Sequence, residues 1–212
     1  MAVDTALAER LEQGLRDLGL DPARQPCGKY LQYTALLQHW NRAYNLSGIR
    51  DPERMISHHV LDALAVLPYL GGGDCLDVGT GAGVPGLILA LARADTRWVL
   101  LDSNDKKTRF LRHAVSELEA GNVEVIRSRV EDYRPRQRFD CITCRAYGSL
   151  SRINEVCRPL LAAHGVILAM KGAEPLRGLD VALRLACHIE VVPLDVPGVE
   201  TERSLVILSL PR

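Results

Sequence analysis

The run from Asp77 to Gly86, Asp-Val-Gly-Thr-Gly-Ala-Gly-Val-Pro-Gly, carries the densest chemical information in this chain of 212 residues. It follows a short apolar segment, and Gly81 to Gly86 matches G-x-G-x-x-G, with Asp102 about 20 residues further on. Glycines there let backbone approach a ligand with no side chain in the way. A turn with no ligand is the bland reading, but the place between a strand and a helix speaks for a nucleotide-like ligand. Dinucleotides bring an anionic pyrophosphate to the following helix start, where Asp77 would oppose it. S-adenosylmethionine has no phosphate; it carries a sulfonium, an ammonium and one carboxylate, so a nearby aspartate favours it. The expected cofactor is therefore S-adenosyl-L-methionine, with NAD as the rival. Asp102, ending Leu100-Leu101-Asp102, would accept hydrogen bonds from the ribose hydroxyls. The run Ser128-Arg129-Val130-Glu131-Asp132 lies where a loop could edge the adenine, with Val130 on the ring; a merely solvated loop is an equal alternative.

The segment Cys144-Arg145-Ala146-Tyr147 bears on the target atom. It lacks the Asn/Asp-Pro-Pro-aromatic run of enzymes that methylate exocyclic amines. It also lacks the Pro-Cys of enzymes that activate pyrimidine rings through a cysteine, so Cys144 reads as a buried structural residue. Oxygen methylation wants a base or a metal, and no metal-binding cluster is visible. Guanine N7 carries a free lone pair and no proton, so a site that only aligns the reactants suits it. Arg145 and Lys171, at strand ends on the ligand edge, are the expected catalytic positioning residues.

The elements that must position these residues fall into two blocks. Residues 1–70 read as helices only: Ala6 to Leu18 with Asp4 or Thr5 as cap, Tyr30 to Tyr44, and a helix opened by Asp51-Pro52-Glu53 that runs to about Leu67. Residues 71–212 alternate strands and helices: Cys75–Val78, a helix from about Val84, Trp98–Leu101, Asp105–Leu118, Val123–Ile126, Phe139–Cys144, Leu150–Leu161, Val166–Met170 and Pro175–Ala186. Two last strands, His188–Val196 and Ser204–Leu210, flank Pro197-Gly198 and read as an antiparallel edge hairpin. The fold class is α/β: a Rossmann-like, doubly wound, mostly parallel sheet with an antiparallel final strand and an N-terminal helical cap.

Lys plus Arg equals Asp plus Glu at 26 each, so any RNA contact must come from a local patch. Candidates are Lys106, Lys107, Arg109 and Arg112; Arg127 and Arg129; Arg134, Arg136 and Arg138; Lys171 and Arg203. The balance favours docking on a larger particle over binding naked RNA. No apolar run reaches a membrane-span length. Cys141 and Cys144, three apart on one strand, point to opposite faces and would not clamp a metal. The six cysteines with no signal peptide suit a reduced, cytoplasmic protein.

With these residues in place, the chain resembles the bacterial RsmG or GidB family, the guanine-N7 methyltransferases of 16S ribosomal RNA. The resemblance runs from Trp40-Asn41-Arg42-Ala43-Tyr44-Asn45-Leu46 to Arg203-Ser204-Leu205-Val206. It takes in His59-Val60-Leu61-Asp62, Asp77–Gly81, Leu100–Ser103, Lys107–Leu111, Ser128–Glu131, Arg145-Ala146 and Lys171-Gly172. It implies methyl transfer to N7 of a guanine in the decoding region of the small subunit; the expected substrate, from the charge balance, is the small ribosomal subunit or an assembly intermediate, with a monomer and no metal as further expectations. It implies cofactor contacts at Gly79, Val84, Val130, Glu131 and Arg145, beside Thr80, Gly81, Gly83, Asp102 and Ser103 of the same segments. His59 and Asp62 would face the cleft, with His59, Arg109, Lys171 and Arg203 on the RNA side. Ala63 stands where the family usually has Ser, which removes a hydroxyl contact there. The alternative is a small-molecule methyltransferase; a binding module without turnover is the other rival.

Overall fold

A computed structural model describes residues 5–176, 179 and 181–209. Helices α1 (Thr5–Asp17) and α2 (Cys27–Tyr44) come first. Asp4 as a cap lies outside the described residues. Asn45 ends α2 in the left-handed region (φ 48°), which its short polar side chain tolerates. The third expected helix is broken. Asp51 accepts from the Glu53 amide to start α3 (Pro52–Met55), the wider π turn Ile56–Leu61 follows, and α4 (Asp62–Leu64) closes the run before a 3-10 turn holding Pro68.

The alternating region gives β1 (Cys75–Val78), α5 (Gly86–Ala92), β2 (Trp98–Asp102), α6 (Asp105–Glu117), β3 (Val123–Arg127), β4 (Phe139–Arg145), α7 (Leu150–Cys157), β5 (Leu161–Lys171), α8 (Val181–Ala186), β6 (His188–Leu194) and β7 (Arg203–Ser209). Several bounds differ from expectation; α7 and β6 end at Cys157 and Leu194, short of the expected Leu161 and Val196. α5 starts two residues late, because Gly83 and Val84 amides close a turn on the Thr80 carbonyl. β5 begins at Leu161 rather than Val166, since a 3-10 turn at Arg158–Leu160 ends the helix early. α8 begins at Val181, after a turn in which the Leu179 amide meets the Leu176 carbonyl. The parts of that expected helix at 177, 178 and 180, and Leu210, lie outside the described residues.

The sheet order is β3-β2-β1-β4-β5-β7-β6. The first five strands are parallel, and β7 runs antiparallel to both β5 and β6. The chain leaves β1 towards β2 and β3, then returns to β4 on the other side. This reversal opens a crevice above the carboxyl ends of β1 and β4, where open α/β sheets take ligands. Cys141 and Cys144 fall in separate apolar clusters, as strand alternation requires.

One face of the sheet is covered by α7 and α8. On the other, α1, α2 and the π turn share a single apolar cluster with α5 and α6. Phe110 of α6 sits at its centre, fully buried, 6.4 Å from the Tyr33 ring and 5.7 Å edge-on from Trp40. Tyr33 also donates its hydroxyl to the Ala82 carbonyl at 2.8 Å, tying α2 to the glycine turn. Phe110→Ala should lower unfolding free energy by about 3–5 kcal/mol, read as a shift in urea midpoint. A loss under about 1 kcal/mol would mean that the helices do not depend on this contact.

Candidate functional site

Asp77 lies inside the wall of the crevice, not at its mouth. Its side chain is fully buried; Oδ2 accepts from the Gly86 amide at 2.9 Å and Oδ1 from the Thr143 hydroxyl at 2.8 Å. Thr80 Oγ1 is buried close by, outside hydrogen-bonding geometry. Burial pushes the Asp77 carboxyl up to about 6, against these polar neighbours and the charge of Arg145. The carboxylate thus occupies the start of α5, where a dinucleotide would place its pyrophosphate. A Cβ on Gly86 would fall 2.5 Å from Asp77 Cβ, so glycine is required for that approach.

The crevice itself has a volume of about 470 Å³, the size of a small-molecule site. Its walls include Gly79, Asp102, Ser103, Val130 and Glu131, all expected around the cofactor. Thr80, Gly81, Gly83 and Val84 form the turn behind it. Gly81 gives its amide to Asp102 Oδ2 at 2.9 Å, while Asn104 gives its own to Oδ1 at 2.8 Å. Each oxygen retains a lone pair for a ribose hydroxyl. Gly83 packs against Leu111 and Leu87, and Val84 is buried in the apolar cluster. Val130 is buried at the head of a 3-10 turn and offers an apolar edge; Glu131 pairs with Arg152.

Tyr147 is the lining residue that sequence reasoning passed over. Ala146 (φ 55°) and Gly148 (φ 87°) both adopt left-handed backbone after β4, and this swings the intervening ring over Gly79. A Cβ on Gly79 (φ 68°) would meet that ring at 2.8 Å. The signal was present: an aromatic residue just past the fourth strand. Lys107, placed with the RNA candidates, also lines the crevice, with Nζ 3.9 Å from Asp102. Backbone, carboxylates, a π-face and the cations Lys107 and Arg129 together suit a nucleoside carrying both cationic groups and a carboxylate, and S-adenosylmethionine fits this set.

Arg145 turns away from the crevice to the cap. Its Nη1 donates to the His58 carbonyl at 2.9 Å and to Asp62 Oδ2 at 3.0 Å. Arg203 Nε meets the other oxygen, Asp62 Oδ1, at 3.2 Å. Asp62 is only 1% exposed, so the two guanidiniums offset the cost of burying its charge. His59, expected on the RNA side, is 4% exposed. Its Nε2 meets the Ser47 hydroxyl at 2.8 Å and its Nδ1 the His58 carbonyl at 3.0 Å. The same Nδ1 lies 3.4 Å from Arg145 Nη2, which only donates, whereas the carbonyl only accepts, so its two neighbours call for opposite tautomers. His59 therefore holds the cap together in this conformation. Lys171 donates to the Gly148 carbonyl, fixing the Tyr147 loop from β5. Arg109 is exposed on α6.

The family model described as GidB, rRNA small subunit methyltransferase G, matches residues 27–206. The ribosomal RNA small subunit methyltransferase G of Chromobacterium violaceum is 46% identical over 201 residues, covering 94% of this chain and 96% of that protein. The protein of the same name from Ectopseudomonas mendocina is 45% identical, covering 98% of each. A SAM-dependent methyltransferase from Aquifex aeolicus superposes with a TM-score of 0.58 at 18% identity, over 78% of this chain and 97% of that one. That likeness bears on the fold alone.

Two measurements test these placements. Asp102→Ala removes a charged acceptor, a loss of about 1.5–3 kcal/mol; cofactor affinity by calorimetry should fall at least roughly tenfold. An unchanged affinity would remove Asp102 from the cofactor site. Burial first, and the Arg145 charge second, hold His59 down from 6.5 to about 4. The unfolded chain then binds more protons in that window, so this stability is present above 6.5 and is lost as pH falls towards 4. Asp77, raised from 3.8 to about 6, acts in the opposite sense. His59→Gln should therefore lose less stability than the parent between those pH values, by on the order of 3 kcal/mol, and Asp77→Asn should lose more. Parallel pH slopes for parent and His59→Gln would contradict the assignment.

Proposed function

The chain belongs to the GidB family, rRNA small subunit methyltransferase G, and from that premise we propose that it methylates N7 of a guanine in the decoding region of 16S rRNA. S-adenosylmethionine supplies an electrophilic methyl group when bound. Asp102 accepts the ribose hydroxyls, Ser103 and Glu131 border the nucleoside, and Val130 packs on the adenine. Gly79 and Tyr147 form the floor and wall at the β1 and β4 ends. Residues 1–70 act as a cap that forms the RNA side, and residues 71–212 as the cofactor-binding core.

The observation that carries the N7 reading is how few lining groups are free to take a proton. Asp102 is committed to two backbone amides, and Glu131 is paired with Arg152. Burial raises the Tyr147 hydroxyl pKa, so it stays protonated. N7 attacks with its lone pair and loses no proton, so the chain need only align the reacting atoms and exclude water. Arg145 and Lys171 position the target: one anchors the cap over the sheet, the other fixes the Tyr147 loop. Arg203 and Arg109 present charge to the RNA, and His59 supports them through the cap fold. A zero-net-charge protein reaching an internal rRNA site favours a structured particle as substrate, met by a monomer in the cytoplasm.

Small subunits lacking this methylation, incubated with the protein and labelled cofactor, should acquire label at a single guanine N7 in the decoding region. Label on another atom or no label on rRNA would overturn the proposal. The rate constant of the bound complex should also stay flat between about pH 7 and about pH 9, because no general base titrates. A sigmoidal rise across that interval would demand a base.

A further inference from the structure

Beside the crevice, α2 and α6 carry a ladder of aromatic rings. Trp40 meets both Tyr44 and His113, each pair with ring centroids 5.4 Å apart and tilted planes at 33° and 35°. Phe110 closes the inner end against Trp40. The outer ring, Tyr44, is 37% exposed. A buried aromatic cluster alone would explain Phe110 and Trp40, but not an open ring continuing the stack at the surface.

The direction of the helices places this ring. Lys29 and Gln32, near the start of α2, reach the carbonyls of Glu119 and Glu117 beyond or at the end of α6. The two helices are therefore antiparallel, and the last turn of α2 comes up beside the first turns of α6. That end of α6 carries Lys107, which lines the crevice. Tyr44, in the last turn of α2, is thus at the same end of the helix pair as the first turns of α6.

Its electrostatic setting is one-sided. There is no acidic residue between Cys27 and Arg50. On α6, Lys106, Arg109 and Arg112 are exposed, and no described acidic side chain pairs with any of them. Lys106 and Arg109 share the Phe110–His113 side of the helix at three- and four-residue spacings. Asp105, the acid nearest them in sequence, is neutralised by Arg127 at 2.7 Å. Arg50 reaches back to Asn45 at the end of α2. In a chain with no net charge this is a local cationic rim around an open π-face.

We propose that Tyr44 stacks an unpaired base of the RNA strand next to the target guanine, with Arg109 and Lys106 holding the adjoining phosphates. Single-stranded RNA is read by just this pairing of aromatic platform and cations, and a base on Tyr44 would extend the existing ladder by one step. The proposal rests on an RNA substrate for the crevice and deepens it by naming a second contact with the strand.

The test compares the full-length parent, Tyr44→Ala, Tyr44→Phe and Arg109→Ala by two independent readouts. The first is binding of a fluorescent single-stranded RNA oligonucleotide across a salt series; the second is KM and kcat for methylation of small subunits. Tyr44→Ala should weaken oligonucleotide binding roughly tenfold and raise KM by a similar factor, with kcat and cofactor affinity unchanged and the melting temperature lowered only by the lost Trp40 contact. Tyr44→Phe should bind like the parent. Arg109→Ala should lower the slope of log affinity against log salt by about 0.7, one phosphate on a single strand, while Tyr44→Ala leaves that slope alone. Parental oligonucleotide binding by Tyr44→Ala overturns the proposal. If its KM for subunits alone rises, the ring meets a protein of the particle instead. Parent protein that binds RNA through Tyr44 yet methylates no rRNA would sink the functional reading and leave the platform standing.

Discussion

Taking a carboxylate out of water costs several kcal/mol unless hydrogen bonds replace its hydration, and the geometry around Asp77 is organised by that requirement. Its two oxygens take the Gly86 amide and the Thr143 hydroxyl, which fixes β1, β4 and the start of α5 relative to one another. Gly86 must be glycine for the carboxylate to come this close. With the helix start already satisfied from within the protein, the crevice has no place there for a ligand's phosphate. Its remaining walls set the Asp102 and Glu131 carboxylates and the Tyr147 ring beside Lys107 and Arg129, a mixed lining that suits a nucleoside carrying both cationic groups and a carboxylate.

A second buried carboxylate does for the cap what Asp77 does for the core. Asp62 sits between Arg145 from β4 and Arg203 from β7, so the helices before the sheet are pinned to the strand ends that border the crevice. The π turn contributes directly. Its widened hydrogen bonding joins the Asp62 amide to the Ser57 carbonyl, and the His58 carbonyl is free to receive Arg145. Such bulges are common where a helix has been locally re-aimed for function. Cap and cofactor crevice are thereby coupled through side chains that never enter the crevice.

The substrate surface follows from this coupling. Holding the cap against α6 creates the seam in which Trp40, Phe110 and His113 pack, and brings the last turn of α2 beside the first turns of α6. Charge neutrality of the whole chain conceals how unevenly the charges are spread, with α2 free of acids and α6 showing cations that no acidic side chain among the described residues pairs. Electrostatic attraction there is local and acts over about a Debye length, which suits recognition of one strand within a larger particle.

The sequence by itself determined the layer order, the class of cofactor and the strand-end positions of most crevice residues, because these depend on local periodicity and on glycine's backbone freedom. It also held a clue that went unread. Along β4, Arg145 alternates with Cys144 and shares the side of Thr143, so it had to face the cap and not the crevice. What only the tertiary structure decided were the destinations of side chains: Asp77 buried, Asp62 between two arginines, His59 enclosed, Tyr147 swung across Gly79. For Asp77 and Asp62 those depend on contacts between residues more than 60 positions apart, for His59 on Ser47 twelve positions earlier, and for Tyr147 on two left-handed residues in one loop. Periodicity gives a residue its face of an element. Only packing decides what that face meets.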